Sequence, residues 1–423
     1  MPRRPLRPVT AVLSLGALAL VAAAGPASAA PSRTFQPLAT VAVDGEVAEI
    51  LSATPDGRTV VYTDSQLGRV GLVDLATPSA PRQVGTVDVG GSPTSVAVTP
   101  SGRYALVAVD STTDLTRPSG HLAVVDLARR TVVRTIDLGG QPDSVDIGPS
   151  GRYAAVAVED QRDELLVGGV EGGLPQLPAG FLSVLDLRGA VADWTADRVE
   201  LTGLPGAAYA ADPEPEFVDV DRRDVAAVTL QENNAVALVD LREQRVVGSF
   251  SAGTVTRSDA DTADDGTVTF DDELTAPREP DAVQWTASGD LLTADEGDLA
   301  AEPSGGRGWT VFSTAGEVRW TSGGSAEQAL AAAGRYPDGR SDDKGAEFEG
   351  AEVARVHGTD YAFIGSERGD AVLVYDLARD TAPRLLQVLP TGDAPEGLLA
   401  IESRGLFLTR NEDDGTLSVF GLR

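Results

Sequence analysis

The 423-residue sequence contains no cysteine, two histidines, one methionine and a single lysine, Lys344. Without cysteine there are no disulfides, so packing alone has to hold the fold. The same absence removes thiolates from any metal site, and with only His121 and His357 as imidazoles the usual zinc ligand set is missing. Positive charge is scarce too: 34 Lys and Arg stand against 64 Asp and Glu, a formal net charge of -30. A chain this acidic is a poor partner for nucleic acid or for anionic membrane surfaces. Beyond the N-terminal segment no stretch approaches the roughly 20 apolar residues that a membrane-spanning helix needs.

The N-terminal segment itself is distinctive. Arg3, Arg4 and Arg7 precede an apolar run from Val9 to Ala24, and Ala27-Ser28-Ala29 closes it. This is the pattern of a secretory signal peptide over residues 1–29, with the mature chain starting near Ala30. The expected product is exported and extracellular, and loss of the three arginines takes its formal charge from -30 to -33.

What the remaining chain has in abundance is a repeated cassette. SPTSVAVTPSGRYALVAVD and GHLAVVDLARRTVVRTIDLGG are followed by QPDSVDIGPSGRYAAVAVED and, after an interruption, GFLSVLDLRG. Each unit holds four alternating apolar runs separated by Pro-Ser-Gly or polar turns, which reads as one blade of a β-propeller. Aligning Gly57, Gly102 and Gly151 puts Glu49, Thr94 and Asp143 at equivalent positions at the start of a first strand. The register continues through Glu216, Asp281, Glu349 and Glu396, giving seven blades. The last unit has residues for three strands only. The segment TFQPLATVAVDG resembles the fourth-strand segments TVVRTIDLGG and RQVGTVDVGG, so the N-terminus is expected to complete the last blade and remove an open edge. The expected fold is therefore all-β: a single seven-bladed β-propeller of four-stranded blades over residues 33–423.

Insertions interrupt this pattern at about 161–180, 254–278, 298–308 and 325–345. In a four-stranded blade, loops entering the first strand and loops joining the second to the third share one face, so all four insertions should decorate that face. Tight turns such as Pro55-Asp56-Gly57 and Ser403-Arg404-Gly405 keep the other face plain. Long loops on a rigid scaffold commonly carry function, which favours the decorated face. Ser325, three residues before Gln328, has capping-box spacing and predicts a short helix. Residues 254–276 are acidic and polar and read as a mobile loop, with a hairpin around Asp265-Gly266 as the alternative because Thr267 to Phe270 alternates.

Six of the seven first-strand positions are acidic: Glu49, Asp143, Glu216, Asp281, Glu349 and Glu396, Thr94 being the exception. Second strands end in acids on the same face, among them Asp64, Asp110, Glu159, Glu232, Asp295 with Glu296, Glu367 and Glu412. First strands line the central channel of a propeller, so its mouth should be strongly negative. Carboxylates gathered this closely are protonated, paired with Arg368 and Arg410, or bound to a cation. Many hard oxygen ligands favour Ca²⁺ or Mg²⁺, with calcium the first expectation. The competing explanation is that acids at repeated strand starts only hydrogen-bond turn amides. A second series, Asp74, Asp126, Asp186, Asp240 and Asp376, ends the third strands and is expected to cap tight turns. The acidic TADEGD segment (293–298) lacks the complete calcium loop pattern of an EF-hand.

Catalytic motifs are sparse. Neither histidine lies near the acidic positions, which argues against a His-based triad. No Gly-rich phosphate loop follows a strand and opens a helix.

Two resemblances follow from these repeats. SPTSVAVTPSGRYALVAV and QPDSVDIGPSGRYAAVAV resemble the YVTN-type propeller repeat. PEPEFVDVDRRDVAAVTLQENNAVALVDL, EPDAVQWTASGDLLTADEGD and EFEGAEVARVHGTDYAFIGSERGDAVLVYDL resemble the choice-of-anchor I domain, a bacterial extracellular seven-bladed propeller. Phe348 stands where that pattern usually has Pro, and Asp295 where Asn is common. The resemblance implies fold and export rather than a defined reaction; propellers of similar outline include calcium-dependent phytases, lactonases and esterase-like proteins. No anchor follows the last blade, so release rather than surface attachment is expected.

The resulting expectation is a secreted, monomeric binding module with a calcium-binding channel mouth and an extracellular ligand or protein partner. Glu49, Asp143, Glu216, Asp281, Glu349 and Glu396 are the candidate metal ligands. Glu232, Asp295, Glu296, Glu367, Arg368, Arg410 and Glu412 are the candidate ligand-binding residues. The alternative is a cation-dependent hydrolase of a phosphoester, lactone or other ester at the same site, with Arg368 or Arg410 binding the anion.

Overall fold

Apolar runs such as Tyr153–Val158 are buried along their whole length, because both faces of a blade's inner strands pack against neighbouring blades. Outer strands such as Thr131–Asp137 alternate between exposed and covered positions, since one face meets solvent. The computed structural model describes residues 1, 33–43, 50–163, 175–297, 304–379 and 381–423. Beyond Met1, the expected signal peptide lies outside the described residues, as does Glu49.

Seven four-stranded antiparallel sheets follow one another in chain order. Their strands fall within residues 51–88, 92–137, 142–200, 215–251, 283–321, 351–390 and 395–422, numbered here as blades 1 to 7, with Phe35–Ala42 as the fourth strand of blade 7. That N-terminal strand pairs with Thr416–Leu422, from Phe35 opposite Leu422 to Ala42 opposite Thr416. Thr34 and Arg423 exchange backbone hydrogen bonds at 3.0 Å in both directions. First strands pack against the next first strand around the ring, and that of blade 7 packs against Leu51–Ala53 of blade 1. The ring is thus closed as the repeat arithmetic requires.

The core is divided among the blade interfaces. One buried cluster joins blades 2 and 3 through Leu106, Val124, Val156 and Phe181; another joins blades 6 and 7 through Phe35, Tyr361, Phe363 and Phe407. Phe35 is 1% exposed and meets the rings of Tyr361, Phe363 and Phe407 edge-on. The N-terminal strand therefore contributes core as well as hydrogen bonds.

On the plain face, Gly57, Gly102, Gly151 and Gly405 all take the left-handed conformation, with φ from 61° to 66°. A side chain there would be strained, and at Gly57 a Cβ would also stand 2.4 Å from Ile401. The third-strand acids cap turns as expected. Asp74, Asp126, Asp186, Asp240 and Asp376 each accept a backbone N–H two or three residues ahead, at 2.8–3.0 Å.

In the 254–278 insertion the structure is more ordered than the composition suggests, while parts of the 161–180 and 298–308 insertions lie outside the described residues. Residues 254–278 are not a mobile loop but a hairpin of Thr254–Ala260 with Asp272–Pro277, closed over Ala260, Leu274 and Ala276. The alternating stretch 267–270 is not strand; it belongs to the connection. The helix expected after Ser325 is present as Ser325–Ala332. Ser325 is its first residue rather than its cap: the N-cap is Gly324, and the Ser325 hydroxyl donates to the Ser322 carbonyl at 2.6 Å. No helix among the described residues is long and apolar enough to cross a membrane.

Candidate functional site

The first-strand positions converge. Thr94, Asp143, Asp281, Glu349 and Glu396 line a common cavity of about 80 Å³ with Ile50 and Phe217. Glu216 lies beside them in blade 4, where Glu232 and Asp281 are its strongest electrostatic neighbours. Thr94 donates its hydroxyl to the Pro142 carbonyl at 3.1 Å, so the one neutral position is spent on the adjacent blade. The five described acids of this ring are each partly accessible toward the channel and otherwise surrounded by protein.

Burial and mutual repulsion disfavour their ionisation. The Asp143 carboxyl is pushed up to about 7 by burial and then by Asp110. Glu216 is raised well above the carboxylate range by burial, then by Glu232 and Asp281. Burial likewise raises Asp281, with Glu296 and Asp143 adding to it and Lys344 opposing. Glu349 is raised by burial and then by Glu296, and Glu159 by burial and then by Asp143.

A second tier stands three residues further along each first strand: Ser52, Ala97, Asp146, Asp219, Gln284, Glu352 and Leu399, all lining an adjoining cavity of about 210 Å³. In blades 3 and 4 the ladder shifts register after Pro142 and Pro215, which lets residues three apart share the channel side. These side chains link neighbouring blades. Ser52 accepts the Val98 N–H at 3.0 Å, Asp146 that of Val220 at 2.8 Å and Asp219 that of Trp285 at 2.6 Å. Gln284 and Glu352 repeat the contact with Val353 at 3.4 Å and Ala400 at 3.0 Å. Burial pushes Asp219 and Glu352 up to about 8, and the neighbouring Asp146 carboxyl, itself raised by burial, adds to the shift of Asp219. Sequence reasoning missed this tier, although its signal was present in the acid-x-x-acid spacing of DSVD, EFVD and EGAE.

The second-strand acids divide. Glu296 reaches the mouth, accepting from Gln231 Nε2 at 3.0 Å and pairing with Lys344. Glu367 pairs with Arg368 at 3.0 Å and hydrogen-bonds to Glu349. Glu232 lies against Glu216, while Glu412 is raised by burial and then by Asp413. Asp295 turns into blade 5, accepting from Thr293 Oγ1 at 2.6 Å with Arg278 at 3.6 Å. Arg410 lies fully buried in blade 7, donates to the carbonyls of Asn411 and Thr416, and faces the Tyr62 ring. Arg368 spans Glu347 and Glu367, both at 3.0 Å. Glu347 itself was not anticipated. Burial works against its charge, but Arg340, Lys344 and Arg368 outweigh that and hold it below the usual carboxylate range.

Comparison with known proteins agrees with this architecture. The chain resembles a solved structure described as Kuenenia stuttgartiensis hydrazine synthase, at 17% identity over 90% of this chain and 96% of that one, with a TM-score of 0.54. It also resembles the Myceliophteria thermophila Cps50 (Swd1) β-propeller domain, at 11% identity over 92% of this chain and 100% of that one, TM-score 0.57. At these identities the likeness concerns the fold alone. No curated protein sequence matches the chain. The choice-of-anchor I domain profile matches residues 49–304 and 300–380, most of the propeller, and the chain belongs to the choice-of-anchor I domain family.

Proposed function

We propose that this propeller is an exported binding module whose acidic channel mouth takes a divalent cation, calcium being the best fit. The observation that carries the reading is the side of the ring built by Asp143, Glu159 and Glu216. The strongest electrostatic neighbours of all three are other carboxylates, and a Glu216 Oε2 atom shielded from solvent has no hydrogen-bond partner among the described residues. Such a group is costly to bury unless something positive meets it. An oxygen-only donor set of this charge suits Ca²⁺ better than softer metals. Asp281 and Glu232 extend the set. Export is supported by the signal-like N-terminus and by membership of a choice-of-anchor family.

Binding is preferred over hydrolysis because both candidate anion clamps are committed, Arg368 to two glutamates and Arg410 to backbone carbonyls inside its blade. The test is a thermal melt in EDTA against millimolar calcium. An ion bound only by the folded state adds roughly 2.7 kcal/mol at about a hundredfold excess over Kd. Calcium should raise Tm in the wild type and do so much less in Glu216→Gln. Equal melting in EDTA and calcium would overturn the proposal.

A further inference from the structure

The larger cavity of the channel, of about 210 Å³, has no part in holding a cation at the mouth. Its wall carries the carboxyls of Asp146, Asp219, Glu352 and Glu396 but no lysine, arginine or histidine. An anion placed there would face acids with nothing to offset its charge. Burial raises Asp146 and lifts Asp219 and Glu352 to about 8, so the latter two are uncharged at neutral pH and offer a cation little. The space suits an uncharged occupant.

The same wall holds hydrogen-bond donors that the protein does not use. Ser95 and Ser144 line this cavity and the smaller one at the mouth, and they are only 3% and 4% exposed. Each Oγ accepts a backbone N–H from the next blade, that of Val145 at 3.1 Å and that of Val218 at 3.3 Å. A serine hydroxyl that accepts still has its own hydrogen to donate. Among the described residues neither hydrogen finds an acceptor. Ser52 repeats the pattern, accepting from Val98, and the Gln284 amide accepts from Val353 through its oxygen while its Nε2 hydrogens meet no acceptor among the described residues. Buried donors are normally satisfied by protein, water or a ligand. These four come from blades 1, 2, 3 and 5, so they reach the cavity from several sides, and Phe217, Leu398 and Leu399 supply apolar wall.

We propose that this cavity binds one small uncharged polyol, of the size of a pentose or hexose, with its hydroxyls on Ser52, Ser95, Ser144 and Gln284 and its C–H surface on Phe217, Leu398 and Leu399. A hydroxyl both donates and accepts, so it matches a serine, an amide or a neutral carboxyl whichever way the proton lies. The volume agrees. It is far above the roughly 10–15 Å³ that one water needs and above the roughly 150 Å³ that holds benzene, yet below the roughly 300–1,000 Å³ of pockets for drug-sized ligands. The site goes beyond the cation at the mouth and does not depend on it.

The experiment measures binding of D-xylose, D-glucose and myo-inositol at millimolar concentration, by titration calorimetry and by ligand-observed saturation-transfer NMR. Melting is not the readout, because polyols stabilise folded proteins by exclusion from their surface. EDTA is present throughout, so the result is independent of calcium at the mouth. The wild type should bind at least one of the three compounds, at one molecule per chain. Ser144→Ala removes one donor and should weaken that binding about tenfold. Leu399→Phe adds bulk inside the cavity while leaving the serine and glutamine contacts in place, and should abolish it. If Ser144→Ala does not fold because Val218 loses its acceptor, Leu399→Phe alone decides. No binding of any of the three would overturn the proposal and leave the cavity to water. Equal binding by wild type and Leu399→Phe would also overturn it, by placing the ligand elsewhere on the molecule. The two sites fail separately: equal melting in EDTA and calcium leaves the polyol site standing, and absent polyol binding leaves the calcium site standing.

Discussion

Asp219 ties blade 4 to blade 5 and Glu352 ties blade 6 to blade 7, each with a carboxyl that is protonated where a free side chain would be charged. Both are pushed up to about 8, chiefly by burial, from ordinary values near 3.8 and 4.5. The folded chain therefore binds more protons than the unfolded chain between about pH 4 and pH 8. Stability must fall as pH rises through that window. The turn acids Asp74, Asp126 and Asp186 are held below their ordinary values, by the N–H of Ala76, that of Arg129 and the guanidinium of Arg188 respectively. They are ionised in both states above pH 5 and add no slope there. In EDTA, Tm should thus be lower at pH 8 than at pH 5. Asp219→Asn keeps an acceptor for Trp285 and a neutral partner for Asp146, so it should flatten this decline without lowering Tm at pH 5. A decline as steep as in the wild type would show that this carboxyl does not titrate as described.

The strand Phe35–Ala42 shows how a single element can matter out of proportion to its length. It adds the fourth strand to blade 7 and places Phe35 among Tyr361, Phe363 and Phe407. Phe35→Ala should cost about 3–5 kcal/mol, read by denaturant unfolding, because the cavity opens between two blades that cannot both collapse into it. A loss below about 1 kcal/mol would mean that the strand docks through its backbone alone. This strand was legible from its likeness to other fourth strands, as were the blade order, the acids that begin first strands and the turn-capping aspartates. All of these depend on short-range, repeated patterns. The hairpin at 254–278 was legible only as an alternative, through Asp265-Gly266, and its docking was not, because that comes from distant partners: Arg257 meets Glu327, seventy residues away in sequence. Lys344 was missed for the same reason, since nothing local to SDDKG marks Glu296 as its partner. Asp295 and Arg410 read as mouth residues from their register, yet a donor beside Asp295 and acceptor carbonyls beside Arg410 hold them inside their blades.

A chain with a formal charge of -30 also stores repulsion across its whole surface. Many surface pairs, such as Arg82 with Asp74 at 3.3 Å or Arg384 with Asp376 at 3.2 Å, are exposed and contribute little individually. Self-repulsion should therefore dominate the response to salt. Shortening the Debye length from about 10 Å at 0.1 M to about 3 Å at 1 M sodium chloride should raise Tm in EDTA. A fall in Tm would instead mean that the ion pairs outweigh the net charge.

The meeting of Thr34 and Arg423 across the last pair of strands carries a consequence for connectivity. In blades 1 to 6 a turn joins the third strand to the fourth, and in blade 7 the gap between these two residues stands in that turn's place. The backbone is thus a circle cut at one hairpin, and nothing in the packing singles out that hairpin. A short linker from Arg423 to Thr34, with new ends opened between Ser101 and Gly102, should give a circular permutant that folds to the same ring.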